Sequence, residues 1–219
     1  MGKCKPILFS TPMVQSILDG RKTQTRRIIK KSEDYYFQSL FLHATGRYTF
    51  APNNNFNPIK DEVMEVEPKY RPLDILWVRE TTLLLDEKDC EGRNTRIYYK
   101  TEHHPTNDEW LKESGYKWKP SVFMPKEACR IFLEVTDVRV ERLQDISESD
   151  AIAEGIEIFN NEKFGRMFRN YLLDPPSGYK VPELSFKTLW ESINGRDSLI
   201  QNPWVWVYDF KRVEKPKNF

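Results

Sequence analysis

"RIFLEVTDVRVERL", residues Arg130–Leu143, is the longest β pattern in the chain. Its apolar residues fall on Ile131, Leu133 and Val135, then on Val138 and Val140, so the phase of the alternation changes near Asp137. A strand that switches phase without breaking predicts a β-bulge or bend at that point. Strands of this length need neighbours, and the flanking sequence offers them. "DILWVRET" (74–81) reads as a strong buried strand, "NPWVWVYDFKRV" (202–213) as a closing strand, and "KPILFS" (5–10) and "TRIYYK" (95–100) as shorter ones.

Helix signals separate these strands. In "TPMVQSILDG" (11–20), Thr11 is the expected N-cap, Pro12 the first helical residue and Gly20 the stop, with Met13, Val14, Ile17 and Leu18 as the apolar stripe. "ISESDAIAEGI" (146–156) has Ser147 as N-cap, Asp150 in the capping-box position and Gly155 at its end. "TNDEWLKESG" (106–115) reads as a short helix. "PELSFKTLWESING" (182–195) reads as an amphipathic one that buries Phe186, Leu189, Trp190 and Ile193. There is no repeating βαβ rhythm, which argues against a doubly wound parallel sheet. The expectation is an α+β fold, a small and mostly antiparallel β-barrel with short helices at its mouth. Residues 1–219 form one domain, with insertions at approximately 32–71 and 160–182. The first is marked by "TGRYTFAPNNNFNPIKDE", with room for a short hairpin, and the second by "DPPSGYKVP".

Composition narrows the function classes. The 34 basic and 33 acidic residues give a formal net charge of +1, which excludes a bulk polycation that coats nucleic acid. Any anion-binding surface must come from local clustering. The three cysteines, Cys4, Cys90 and Cys129, lie far apart and suggest neither a disulfide framework nor a CxxC pair, so a reducing cytoplasm is the expected setting. Cys129 reads as a buried strand residue and not as a nucleophile. The three histidines, two of them adjacent at 103 and 104, lack metal-ligand spacing, and neither metal nor cofactor is expected. No stretch approaches the ~18 apolar residues of a membrane span.

The local cluster exists. In "ILDGRKTQTRRIIKK" (17–31), six of the eleven residues from Arg21 to Lys31 are basic, and Thr23 and Thr25 sit among them. The run starts directly after a predicted helix stop. A cationic run is ordinarily a solvated face, and threonines there ordinarily bond nearby backbone.

"ILDGRKTQTRR", "DILWVRET", "KPSVFMPKEACRIFLEVTDVRVERLQDISESDAIAEGI" and "LWESINGRDS…NPWVWVYDF" together resemble the ASCH family of the PUA-like superfold, over a little more than half the chain. The combination looks most like ASCH proteins encoded by phages and prophages, which would place the protein in a host cytoplasm. The resemblance implies a β-barrel with a cleft for RNA or a modified nucleoside. It also implies kinship with amidohydrolases that remove the acetyl group from N4-acetylcytidine. Carried over residue by residue, the catalytic set is Lys22, Thr25 and Glu154.

The chemistry sets two conditions. A threonine hydroxyl needs a proton acceptor, and Lys22 serves only if its pKa falls from ~10.4 toward ~7–8. Neighbouring Arg21, Arg26 and Arg27 push it down, while Glu154 pushes it up. In addition, Lys22 and Thr25 would point to opposite faces of a regular strand, so they share a cleft only if the chain departs from one between them. Glu154 itself sits at a helix C-terminus, where its charge opposes the helix dipole.

Three readings stay open from the sequence. The first is an amidohydrolase acting on acylated pyrimidine nucleosides. The second is a non-catalytic reader of RNA or of a modified nucleotide, in which Arg21, Arg26 and Arg27 hold phosphates, Trp118 of "YKWKPS" stacks on a base and Ser121 offers a hydroxyl. The third is a metal-independent single-strand ribonuclease. Oligomeric state is not legible from these residues.

Overall fold

The structure, a computed structural model, describes residues 2–29, 39–42, 48–51, 64–89, 92–102, 108–174 and 177–219. The central layer is a five-stranded sheet of β1 (Cys4–Leu8), β2 (Gln24–Ile28), β6 (Ile75–Arg79), β9 (Phe132–Arg142) and β13 (Trp204–Val213), in the order β1-β6-β9-β13-β2. β1 and β6 run parallel, and the other pairs are antiparallel. β1 and β2 are the edges of this sheet, so its hydrogen bonding does not close on itself among the described residues. The fold is α+β with mostly sheet.

β9 confirms the phase change. Asp209 pairs with Asp137 but Phe210 pairs with Val135, which leaves Thr136 as the extra residue of a bulge. The bulge lets Leu133 and Val135, then Val138 and Val140, all face the same cluster with Ile7, Leu76, Val78, Trp206 and Phe210. β13 is apolar on both faces for a simple reason. Trp206 and Tyr208 enter that first cluster, while Val205 and Val207 enter a second with Leu143, Ala151, Phe168, Phe186 and Trp190. Each such side chain removed from water contributes about 1.5–3 kcal/mol.

The helices are α1 (Thr11–Leu18), α2 (Asp108–Ser114), α3 (Glu148–Ala153), α4 (Pro182–Asn194) and α5 (Arg196–Ile200). Helices α3, α4 and α5 cover the second cluster, α1 packs Val14 and Ile17 into the first, and α2 packs Leu111 against Leu83, Leu85 and Tyr98. Two local expectations change. The N-cap of α1 is Ser10, not Thr11, since Pro12 then occupies the first turn. Ile193, expected to be buried, is 53% exposed at the C-terminal end of α4 and lines a cavity.

Both insertions contain more sheet than their composition suggests. The described parts of 32–71 form the antiparallel strands β3 (Ser39–Leu42), β4 (Tyr48–Ala51) and β5 (Met64–Val66). The region 160–182 carries most of β10 (Ile158–Asn161), β11 (Gly165–Arg169) and β12 (Gly178–Tyr179), and it buries Phe168 against α4. A fourth unit is the hairpin of β7 (Thr82–Asp89) and β8 (Gly92–Tyr99). No described helix is long and apolar enough to cross a membrane.

Candidate functional site

The segment Arg21–Thr23 is pinned between the ends of two helices. The backbone N–H groups of Arg21 and Lys22 donate to Ser16 O of α1 at 2.9 and 3.0 Å, and Thr23 N donates to Ala153 O of α3 at 2.8 Å. Lys22 and Glu154 form an isolated antiparallel bridge, and β2 starts only at Gln24. Gly155 makes this approach feasible. Its φ is +83°, and a Cβ there would stand 2.7 Å from Lys22 Cβ.

Lys22 Nζ donates to Glu154 Oε2 at 2.7 Å and to the Glu154 backbone carbonyl at 2.8 Å. Lys22 is 2% exposed, and Glu154 is buried with it. The ammonium therefore answers two needs at the C-terminus of α3, the unpaired carbonyl and the carboxylate that opposes the dipole. Burial pulls the Lys22 pKa below 10.5, assisted by Arg27 and Arg26, and this outweighs the upward pull of Glu154.

The other Glu154 oxygen, Oε1, accepts from Arg26 Nη1 at 3.1 Å. Arg26 is enclosed, and all five of its N–H groups are used. Nε and Nη2 bind Glu141, Nη2 also lies 3.2 Å from Asp150 Oδ2, and Nη1 is shared between Gln24 and Glu154. Gln24 Nε2 donates to Asp150 at 3.0 Å and to Asp209 at 2.7 Å, and Arg139 binds Asp150, Asp209 and Glu141. Burial disfavours the charged form of Asp150. The hydrogen bond from Gln24 and the charges of Arg139 and Arg26 more than offset this and hold its carboxyl below 3.8.

Sequence reading placed Asp150 in a capping box and missed the rest of this network. Ser147 does cap α3, its Oγ accepting from Asp150 N, but the Asp150 carboxylate turns to the sheet. A signal was available. Gln24 and Arg26 on β2, Arg139 and Glu141 on β9, and Asp209 on β13 recur at period two, the mark of a polar stripe on one sheet face.

Thr25 occupies the alternate register to Gln24 and Arg26. It is 2% exposed and makes no hydrogen bond with Lys22 or Glu154. It does share a cavity of about 290 Å³ with Glu154, walled by Phe186, Leu189 and Trp190 of α4. A second cavity of about 480 Å³, bordered by Arg21, Arg169 and Tyr171, also reaches Glu154, and the two share Met13, Leu189 and Ile193. Glu154 thus stands where two chambers between α1 and α4 meet.

The remaining candidates separate. Arg21 pairs with Asp19 at 2.8 Å and donates to Gly155 O at 3.1 Å. Arg27 donates to Leu8 O at 2.9 Å and lies over the Phe9 ring. Arg26, expected to hold a phosphate, has no donor left for one, because Glu141, Asp150, Glu154 and the Gln24 amide take them all. Trp118 packs against Leu83, Leu85, Tyr98 and Leu111, and it lines no cavity at Glu154. Ser121 opens a short 3₁₀ turn after Pro120, where its carbonyl accepts from Met124 N. These two belong to the neighbourhood of the β7–β8 hairpin, a placement decided by long-range packing. Cys129 is buried, as expected, and burial pushes its thiol up to about 11. The three histidines and Cys90 lie outside the described residues.

No protein-family model, curated protein or solved structure gives a significant match to the chain. Among the described residues, no group of three or more His, Cys, Asp or Glu side chains is placed to hold a metal ion.

Proposed function

We propose that the protein is an ASCH-type, PUA-like amidohydrolase that deacylates N4-acylated pyrimidine nucleosides, with Lys22, Thr25 and Glu154 as its catalytic set. The observation that carries this reading is the buried Lys22–Glu154 contact of 2.7 Å at the junction of two cavities, one of which contains Thr25. Residues 132 positions apart in sequence meet there, and burial lowers the lysine pKa in the direction a general base requires. The smaller, apolar-walled chamber fits an acyl group. In the proposed reaction, Thr25 Oγ attacks the acyl carbonyl carbon and its proton passes to the Lys22–Glu154 pair. The exocyclic amine leaves with that proton, and water then hydrolyses the threonyl ester to release the carboxylate.

Incubating purified protein with N4-acetylcytidine tests the reading, with cytidine and acetate resolved by chromatography. Turnover that disappears in Lys22→Ala, Thr25→Ala and Glu154→Gln supports it. Absence of turnover with any acylated nucleoside removes it.

One observation favours a second reading, a nucleotide-binding module without turnover. The Thr25 hydroxyl is not hydrogen-bonded to either partner, so the nucleophile is not set up before substrate binds. Tight binding of the acylated nucleoside without product, in the same experiment, would select this reading.

A further inference from the structure

A cavity of about 810 Å³ lies away from the Lys22–Glu154 contact, at the gap between the edge strands β1 and β2. Its lining includes Pro6–Leu8 of β1 and Arg27–Ile29 at the end of β2. Tyr70, Trp206 and Tyr208 supply an aromatic floor, with Tyr70 and Tyr208 edge to face at 5.1 Å. The volume suits a ligand of nucleotide size, for which cavities of ~300–1,000 Å³ are usual.

The charges around this cavity are unequal in a specific way. Two guanidinium groups line it, Arg27 and Arg79, and neither has a carboxylate partner among the described residues. Arg27 donates only to the backbone carbonyl of Leu8, and Glu154 acts on it solely through space. Arg79 donates to the carbonyls of Val122 and Met124, and its Nε–H is buried with no partner among the described residues. Arg21, Arg26, Arg71, Arg130, Arg139 and Arg169, by contrast, are each held by an acid. The acids bordering the cavity are Glu65 and Glu67. Both already have partners, Arg71 being that of Glu67 at 2.8 Å.

A half-buried guanidinium without a counter-charge is costly to keep, and two around one aromatic-floored cavity define a ligand. The geometry points to a binding site for a phosphate monoester of a flat heterocycle, a nucleoside monophosphate or the phosphorylated end of an oligonucleotide, with Arg27 and Arg79 on the phosphate and the ring over Tyr70 and Trp206. This site does not rest on the hydrolase reading, because it requires no chemistry at Lys22, although Arg27 also borders the chamber that holds Thr25 and Glu154.

Binding measured by calorimetry with quenching of tryptophan fluorescence tests it on the full chain. The probes are cytidine, cytidine 5′-monophosphate, inorganic phosphate, and a short single-stranded RNA with and without a 5′-phosphate. The monophosphate is expected to bind at least tenfold tighter than cytidine. Arg27→Gln and Arg79→Gln are each expected to remove that advantage, and Arg79→Gln, at a position that borders neither chamber at Glu154, is expected to leave cytidine binding unchanged, with thermal melts confirming the fold. A preference for the 5′-phosphorylated RNA over both the nucleotide and unphosphorylated RNA identifies a strand end as the ligand, and equal binding of the nucleotide identifies the free compound. Equal affinity for cytidine and its monophosphate overturns the proposal. So does a monophosphate advantage that survives in Arg27→Gln, the variant whose loss leaves the Arg79 carbonyl contacts in place.

Discussion

Lys22 and Glu154 are joined twice, side chain to side chain at 2.7 Å and side chain to backbone at 2.8 Å, with neither residue open to water. The lysine meets the glutamate where α3 ends, so one ammonium closes a helix terminus and holds a carboxylate. Arg26 takes that carboxylate's other oxygen. Both Glu154 oxygens are therefore fixed by cations four residues apart, Lys22 just before β2 and Arg26 within it.

The Lys22 pKa makes stability depend on pH, and under the proposed amidohydrolase reading it makes turnover do so as well. Because the folded-state value lies below 10.5, the unfolded chain binds more protons between the two values, and stability rises with pH across that window. Denaturant melts from pH 7 to 10 should show this rise in wild type and lose it in Lys22→Met. The rate of N4-acetylcytidine hydrolysis should climb over the same range as Lys22 loses its proton. A flat rate profile would remove Lys22 as the base.

Arg26→Met leaves Glu141, Asp150 and Glu154 facing one another without their common cation. Removing one partner from a buried ion network costs about 3–5 kcal/mol, so the variant should melt far earlier, by urea and by heat. Arg26→Lys should recover only part of this, since an ammonium lacks the five-donor fork.

Gly155→Ala places a methyl group 2.7 Å from Lys22 Cβ on a backbone with φ of +83°. The left-handed backbone costs about 1–2 kcal/mol, and the overpacking a further ~1–3 kcal/mol. Any turnover should fall more steeply than stability alone explains, because the bridge that seats Lys22 must open. Equal activity in the variant would show that the bridge is incidental to the site.

Cys129 should resist alkylation. Its thiol is buried, sits 3.3 Å from Ile131 O, and is pushed up to about 11. Iodoacetamide at pH 8, followed by peptide mass mapping, should label exposed Cys4 while leaving Cys129 unmodified until the chain is unfolded.

At acid pH the Asp150 carboxyl gives a second handle. Its folded value lies below 3.8, so its contribution is present above that pH and is lost as pH falls through the folded value. Asp150→Asn should flatten the acid limb of the stability curve.

Local pattern alone carried β1, β6, β9, β13 and helices α1 to α4, but not β2 or most strands of the two insertions. The alternation of Arg130–Leu143 gave both the longest strand and its bulge, Ser147 gave the start of α3, and the V-W-V-Y stretch gave the closing strand β13. These are short-range properties, set by side-chain period and capping. Tertiary structure decided which charges are spent. Arg26 and Arg27 are adjacent in the same basic run. Arg26 lies on the sheet face beneath α3 and is consumed mainly by carboxylates, while Arg27 lies in the opposite register and has none among the described residues. Strand alternation made them different, but only the packing of α3 over one face supplied the acids. Charge pairing between residues more than 100 positions apart depends on topology and register, and local sequence encodes neither.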